Sequence, residues 1–239
     1  MFAIFKREVR AYLQSAIGFV FMGMFLLISG IFFAMSNIMS MSASIGTLLG
    51  NLQFLFMIVV PILTMKLFSD ERRTKTDQLL LTSPVSIGSM VLGKIFAACF
   101  IFLITLLITF IYVIIIDIFG APAYGEVFTG YFGFFLLGCG LIAVGALMSA
   151  LTESQVTAAI LGFGAMIALY FAGSIAVYAK VDFLPFLDDI IGSVDIYARF
   201  YNFAYGIISL SDIVYMLSFF GVFAFLTARV IERRRWSES

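Results

Sequence analysis

The sequence predicts an all-α polytopic membrane protein with six transmembrane helices, and three observations predict it. Of the 239 residues, 63% are hydrophobic and 12% charged, where soluble domains are about half apolar and about a quarter charged. A chain of this length has no core large enough to hide that excess. Apolar runs of about 20 residues recur along the chain, each long enough to cross a hydrocarbon layer of about 30 Å as a helix. Finally, Lys and Arg concentrate in alternate connecting segments, as in multi-pass proteins. Strands are excluded: isolated in lipid they would leave backbone groups unpaired, and these runs are too long and too continuously apolar for outer-membrane strands.

Residues 1–15 come first. Phe2, Phe5, Val9, Tyr12 and Leu13 fall near one helical face, and Lys6, Arg7, Arg10 and Gln14 fall elsewhere. That pattern predicts a helix lying in the interface, apolar side in lipid and basic side toward anionic headgroups. The run that follows, from about Ile17 to Met35, is longer than the apolar region of a signal peptide, so it is read as a retained span. The expected spans are 16–37, 51–68, 92–117, 131–151, 156–179 and 211–230.

Six spans place both termini on one side. The segments on that side hold Lys6, Arg7, Arg10, Lys66, Arg72, Arg73, Lys75, Lys94, Arg229, Arg233, Arg234 and Arg235, and the other side holds only Lys180 and Arg199. This asymmetry predicts cytoplasmic termini. The inner segments net +5 and the outer ones −5, because acids divide evenly.

Between spans 2 and 3 lies SDERRTKTDQLLLTSPV, Ser69 to Val85. Six of the eight residues Asp70–Asp77 are charged. A solvated loop obeying the charge rule accounts for the Arg and Lys, but not for Leu79, Leu80 and Leu81 in a row. These suit a short amphipathic helix against the membrane face, a neighbouring subunit, or both. Thr82, Ser83 and Pro84 end it, since proline cannot continue the hydrogen-bond ladder.

Within span 5, Gly164, Ala168, Ala172 and Ala176 repeat every four residues. Such a face lets helices approach closely in lipid. Gly133, Gly138, Gly140, Gly145 and Ala146 form a looser version in span 4. Pro61 is expected to kink span 2. The spans carry almost no buried charge: Asp117, Glu153 and Asp212 fall at span ends, and Lys66 and Lys94 are expected to snorkel to the cytoplasmic surface. Ion-coupled transport, which relies on acids or broken helices near midplane, is therefore disfavoured.

Segment 180–210 mixes aromatic and apolar residues with Asp182, Asp188, Asp189, Asp195 and Arg199. Short helices dipping into the outer leaflet fit this mixture, with Tyr197, Tyr201 and Tyr205 as a belt. Cys99 and Cys139 both lie in apolar runs and read as core residues rather than a disulfide. The chain has no histidine, which removes histidine-based catalysis and metal ligation. Zero net charge argues against nucleic acid. Gly88 to Lys94 imitates the start of a phosphate-binding loop, but Ile95 stands where a hydroxyl is needed and no strand precedes it.

The loop from Ser69-Asp70-Glu71-Arg72-Arg73 through Thr76, then Leu79-Leu80-Leu81-Thr82-Ser83-Pro84-Val85 and Gly93-Lys94, resembles the ABC type-2 permease family. The opening FKREVRAYLQSAIGFVF, the stretch LTESQVTAAI, the stretch FYNFAYGIISLSDIVY and the tail RVIERRRW extend the resemblance over nearly the whole chain. The layout looks closest to permeases of gliding-motility and nitrous-oxide-reductase maturation systems. The family usually has Gly-Thr where this sequence has Lys75-Thr76, so the turn there is expected to differ.

The resemblance implies an ABC type-2 exporter permease fold and a non-catalytic subunit in the cytoplasmic membrane of a bacterium or archaeon. It implies separate ABC ATPase subunits carrying ATP and Mg, a second permease subunit, surrounding lipids, and no cofactor bound by this chain. Residues 69–86 become the coupling helix, with Asp70, Glu71, Arg72, Arg73, Lys75, Thr76, Asp77, Leu79, Leu80, Leu81 and Pro84 as its contact set. Segment 180–210 becomes the external helices, with Asp188, Asp189, Arg199 and Asn202. A non-transporting scaffold of an assembly complex and a secondary transporter are the alternatives. ATPase docking without cargo flux would mark the first, and dependence on an ion gradient the second.

Overall fold

A computed structural model describes residues 1–75, 86–178 and 195–237, with the side chains of 172–178 and 234–237 left undescribed. Helices are the only regular elements among these residues. In chain order they are α1 (Phe2–Gln14), α2 (Ala16–Phe33), α3 (Ile45–Leu52), α4 (Phe56–Thr64), α5 (Ser69–Arg73), α6 (Ile87–Ile108), α7 (Phe110–Phe119), α8 (Tyr124–Leu151), α9 (Gln155–Tyr178), α10 (Ile196–Ala204) and α11 (Leu210–Ser237). A π-helical stretch, Ala34–Met39, extends α2, and a 3-10 turn, Gln53–Leu55, joins α3 to α4.

Five helical runs are long and apolar enough to cross a membrane: Ala16–Met39, Ile45–Arg73, Ile87–Phe119, Tyr124–Leu151 and Leu210–Arg233. The sixth expected span is α9, 24 residues long, whose apolar stretch with described side chains is Gln155–Phe171. The chain is a multi-pass helical membrane protein.

Local chemistry sets the helix starts. Ser15 Oγ accepts from Gly18 N at 3.3 Å, Ser44 Oγ from Thr47 N at 3.3 Å, and Ser86 Oγ from Ser89 N at 3.4 Å. Asp195 Oδ1 accepts from Ala198 N at 2.9 Å. Each satisfies an amide that the helix itself cannot. The Ser44 cap starts the second span at Ile45, earlier than hydropathy alone places it. The third span is interrupted at Thr109 between α6 and α7. There the Tyr131 hydroxyl donates to Thr109 O at 3.0 Å, meeting a carbonyl at the break.

The core forms around α8, which packs against α4, α6, α9, α10 and α11. Phe134 of α8 lies between Phe56 at 4.7 Å and Phe200 at 5.7 Å, centroid to centroid. Glycines on α8 admit bulky neighbours. A Cβ at Gly138 would fall 2.3 Å from the Phe102 ring, and one at Gly145 2.4 Å from Thr64 Oγ1.

The described part of the small-residue stripe lies on the outer face of α9. Gly164 and Ala168 are exposed, and a Cβ at Gly164 would meet nothing within 4 Å. The inner face of α9 is instead Ala158, Gly162 and Met166, with Gly162 against Pro61. Two residues of offset turn a helix by about 200°, so the stripe points away from this chain's own bundle. The side chains of Ala172 and Ala176 lie outside the described residues. A helix that is apolar on every side does not disclose its inner face by spacing alone. Close packing within the chain falls to span 4 instead.

These contacts predict unequal responses to added bulk. Gly138→Val should destabilise by about 1–3 kcal/mol through overpacking, read as a lowered thermal-unfolding midpoint of the detergent-purified chain. Gly164→Val should leave that midpoint unchanged. Equal midpoints for the two variants would mean that α8 and α6 are not closely apposed at Phe102.

Candidate functional site

The amphipathic helix α1 lies across α6 at Gly93, where a Cβ would approach Met1 O at 3.2 Å. The Tyr12 hydroxyl fastens α1 to span 2 by donating to Leu63 O at 2.9 Å. Beyond Leu63 the second span turns into the short helix α5. Ser149 of α8 holds that turn: its buried hydroxyl accepts from Phe68 N at 3.1 Å and Ser69 N at 3.3 Å, and donates to Met65 O at 3.1 Å. One side chain thereby satisfies the first amides of α5 and ties the loop to span 4.

A charge network sits where α1, α5 and α6 meet. Lys94 of α6 is only 1% exposed. Its Nζ lies 2.8 Å from Glu71 Oε1 and 3.5 Å from Glu8 Oε1, and it donates to Leu67 O at 2.8 Å. The ammonium also stands 5.3 Å from the Phe68 ring centroid. Arg7 completes the set, at 2.6 Å from Glu8 Oε1 and 3.0 Å from Glu71 Oε1. Two cations and two carboxylates alternate, so the group is neutral. Burial works against the Arg7 charge, but the hydrogen bond to Glu8 and the fields of Glu8 and Glu71 outweigh it and raise its pKa above the ordinary guanidinium value.

Lys94 is a correction. Instead of snorkelling to the surface, its ammonium is enclosed because two carboxylates and a carbonyl meet it there. Glu71 is likewise turned inward, its side chain 20% exposed. Arg72 reaches the end of α8, pairing with Glu153 at 2.8 Å and donating to Leu151 O at 3.3 Å. Asp70 accepts from Gln155 Nε2 of α9 and from Arg73 at 3.3 Å. The outward charges are Arg73, 64% exposed, and Lys75. Thr76, Asp77, Leu79, Leu80, Leu81 and Pro84 lie outside the described residues.

Lys75 adopts φ +54°, the left-handed region that glycine favours. The turn therefore takes the conformation a glycine would give, at a strain of roughly 1 kcal/mol.

On the opposite side, Asp212 is a second buried charge, 4% exposed. Arg199 pairs with its Oδ1 at 3.0 Å, and Asn202 donates to its Oδ2 at 2.7 Å. The Arg199 guanidinium lies 4.1 Å over the Tyr215 ring. Arg199 and Asn202 thus fix α10 to the start of α11. Asp188 and Asp189 fall outside the described residues. Among the described residues, no group of three or more Cys, Asp or Glu side chains could hold a metal ion, and Cys99 and Cys139 are free thiols.

Sequence reasoning missed Glu8, Ser149 and Gln155 as members of this junction. Glu8 carried a signal, being the only acid before Asp70. Ser149 carried none.

The described residues thus form a bundle of membrane-length helices with the charged helix α5 braced against α1, α6 and the end of α8. The sequence matches the family described as ABC-2 family transporter protein over residues 2–237. The chain belongs to that family and is a membrane permease subunit of an ABC transporter. Such subunits are generally non-catalytic, and membership implies a partner ABC ATPase on which ATP and Mg act. No curated protein matches the chain by sequence.

Removing one member of the buried network should cost more than removing two. Breaking a buried pair costs about 3–5 kcal/mol, and Arg7 remains to offset part of it. Lys94→Met should therefore lower stability by roughly 2–3 kcal/mol. Adding Glu71→Gln should recover about 1 kcal/mol or more, a coupling typical of residues in one network. A double-mutant cycle of unfolding in detergent measures this, and strict additivity would mean that the two side chains do not interact.

Proposed function

We propose that this permease subunit couples ATP hydrolysis on its partner ATPase to export across the cytoplasmic membrane of a bacterium or archaeon. Both termini and residues 69–86 face the cytoplasm, and that segment docks on the ATPase. A second permease subunit, identical or related, completes the pathway, and the outward face bearing Gly164 and Ala168 is available to it. Segment 180–210 supplies the external helices.

The observation that carries this reading is the neutral network of Arg7, Glu8, Lys94 and Glu71. It fastens the loop helix to the interfacial helix and to the base of span 3. Ser149 and Arg72 fasten the same helix to span 4. A displacement applied to α5 by a moving partner would pass into these elements together, where a loose loop would absorb it. Asp70, Glu71 and Arg72 act as braces in this scheme, and the exposed Arg73 and Lys75 as electrostatic contacts. Leu79–Leu81 seat the helix on apolar surface of the ATPase, with Thr76, Asp77 and Pro84 completing the contact set.

The division between brace and contact is testable. Arg73→Glu with Lys75→Glu should lower co-purification of the ATPase severalfold and reduce its stimulated activity, with the unfolding midpoint of the permease unchanged. Pull-downs at two salt concentrations measure it, because exposed pairs are screened by salt. Full retention of the ATPase at both would remove these two residues from the interface.

Orientation has its own test, resting on the Lys and Arg asymmetry. With the native cysteines replaced, a cysteine at Thr74 should be shielded from an impermeant thiol reagent in intact cells, and one at Ser193 labelled. Labelling at Thr74 from outside would invert the topology and end the docking proposal.

A further inference from the structure

At the end of the bundle remote from α1, a groove opens between the end of the first span and the end of the third. Its volume is about 440 Å³, and its walls include Phe33, Asn37, Met41, Ile116, Phe119 and Gly120. Ligand clefts run from about 300 to 1,000 Å³ and are mostly apolar with a few placed polar groups. This groove is apolar except at Asn37 and Ser42.

Asn37 sits in the π-helical stretch Ala34–Met39 and is 4% exposed. Such stretches are rare and frequently occur at functional sites. Its Nδ2 donates to Ser42 O at 2.9 Å and to Ser44 O at 3.1 Å. Both partners are carbonyl oxygens, which fixes the amide orientation, since an amide oxygen in that place would face two acceptors. The remaining atom, Oδ1, is buried and accepts no hydrogen bond among the described residues. A buried acceptor without a donor costs about 1–3 kcal/mol. Meanwhile the rim is greasy: Met41 is 95% exposed and Phe119 86%.

We propose that this groove binds one phospholipid from the leaflet opposite α1, its acyl chain on the apolar wall and its polar end donating a hydrogen bond to Asn37 Oδ1. The location argues for lipid over a water-soluble ligand. The groove lies at the ends of two membrane spans, Ala16–Met39 and Ile87–Phe119, where the chain boundary of the bilayer meets its headgroups. The unpartnered acceptor of Asn37 selects headgroups that carry a donor, such as ethanolamine or glycerol, over choline, which has none. The inference needs only membrane embedding and stands apart from the export proposal.

The test uses the full chain in phosphatidylcholine nanodiscs doped with a phosphatidylethanolamine bearing a photoactivatable acyl chain, with labelled residues mapped by mass spectrometry. Labelling at Met41 and Phe119 should saturate near one lipid per chain, while labelling at the exposed Phe225 rises linearly with probe. Unlabelled phosphatidylethanolamine should compete about fivefold better than phosphatidylcholine, the size of effect one hydrogen bond supplies, and Asn37→Leu should abolish that preference. Gly120→Leu gives a second variant that leaves Asn37 untouched. A Cβ there meets only Ile116 O at 3.5 Å and Ala43 Cβ at 3.8 Å, so the backbone accommodates it while the side chain occupies groove volume. It should cut groove labelling at least fivefold and leave Phe225 labelling unchanged. Linear, unsaturated labelling in the groove would reduce it to bulk lipid contact and overturn the proposal. So would an undiminished headgroup preference in Asn37→Leu, or crosslinking of Met41→Cys to a second copy of the chain in native membranes.

Discussion

An ammonium group removed from water must be met by opposite charge and by hydrogen-bond acceptors, or it is lost from the structure. Lys94 imposes that constraint at the base of the third span. Among the described residues its three acceptors come from three places in the chain: Glu8 from α1, Glu71 from α5, and the carbonyl of Leu67 from the end of the second span. None of these elements can shift far without stranding the charge. The position of α5 relative to the membrane helices therefore depends on Lys94, together with the bonds of Arg72 and Asp70 to the ends of α8 and α9. Ser149 and Tyr12 hold the same junction with uncharged bonds.

Packing in the interior obeys a different rule. No hydrophobic force draws helices together within lipid, so contact has to come from shape. Here α8 contributes the concavities and its neighbours the rings: Phe102 enters at Gly138 and Phe203 at Gly133. The charged junction fixes one end of the bundle, and the Asp212 set with Arg199 and Asn202 fixes the other. Between them lies a core of interlocked aromatic rings that tolerates little added volume.

Much of this was legible in the sequence, because hydropathy and charge are additive properties that survive without coordinates. The helical class, the spans and the charged loop between the second and third all follow from counting. Direction was not legible. A helix such as α9 is apolar on all sides, so Gly164 and Ala168 gave no sign that they face outward while Gly162 faces Pro61. Nor could Glu71 be assigned inward from a run where charges of both signs alternate. Its partners Arg7 and Lys94 lie far away in sequence and belong to elements that cross closely at Gly93, where a Cβ would meet Met1 O and the Ile4 side chain. The orphan acceptor of Asn37 was equally hidden, since it depends on which of two amide atoms meets the carbonyls of Ser42 and Ser44.

The neutrality of the Arg7, Glu8, Glu71 and Lys94 set constrains how such a sequence can change over generations. Loss of Lys94, Glu8 or Glu71 leaves an unmatched ion in a place with little water, whereas Arg7 is half exposed. Change at the three enclosed positions is therefore expected to favour paired replacements. Arg73 and Lys75, facing solvent, carry no such burden within the chain and are free to follow whatever surface they meet. Two kinds of charge thus sit within five residues of one another, one inherited as a block and the other adjustable residue by residue.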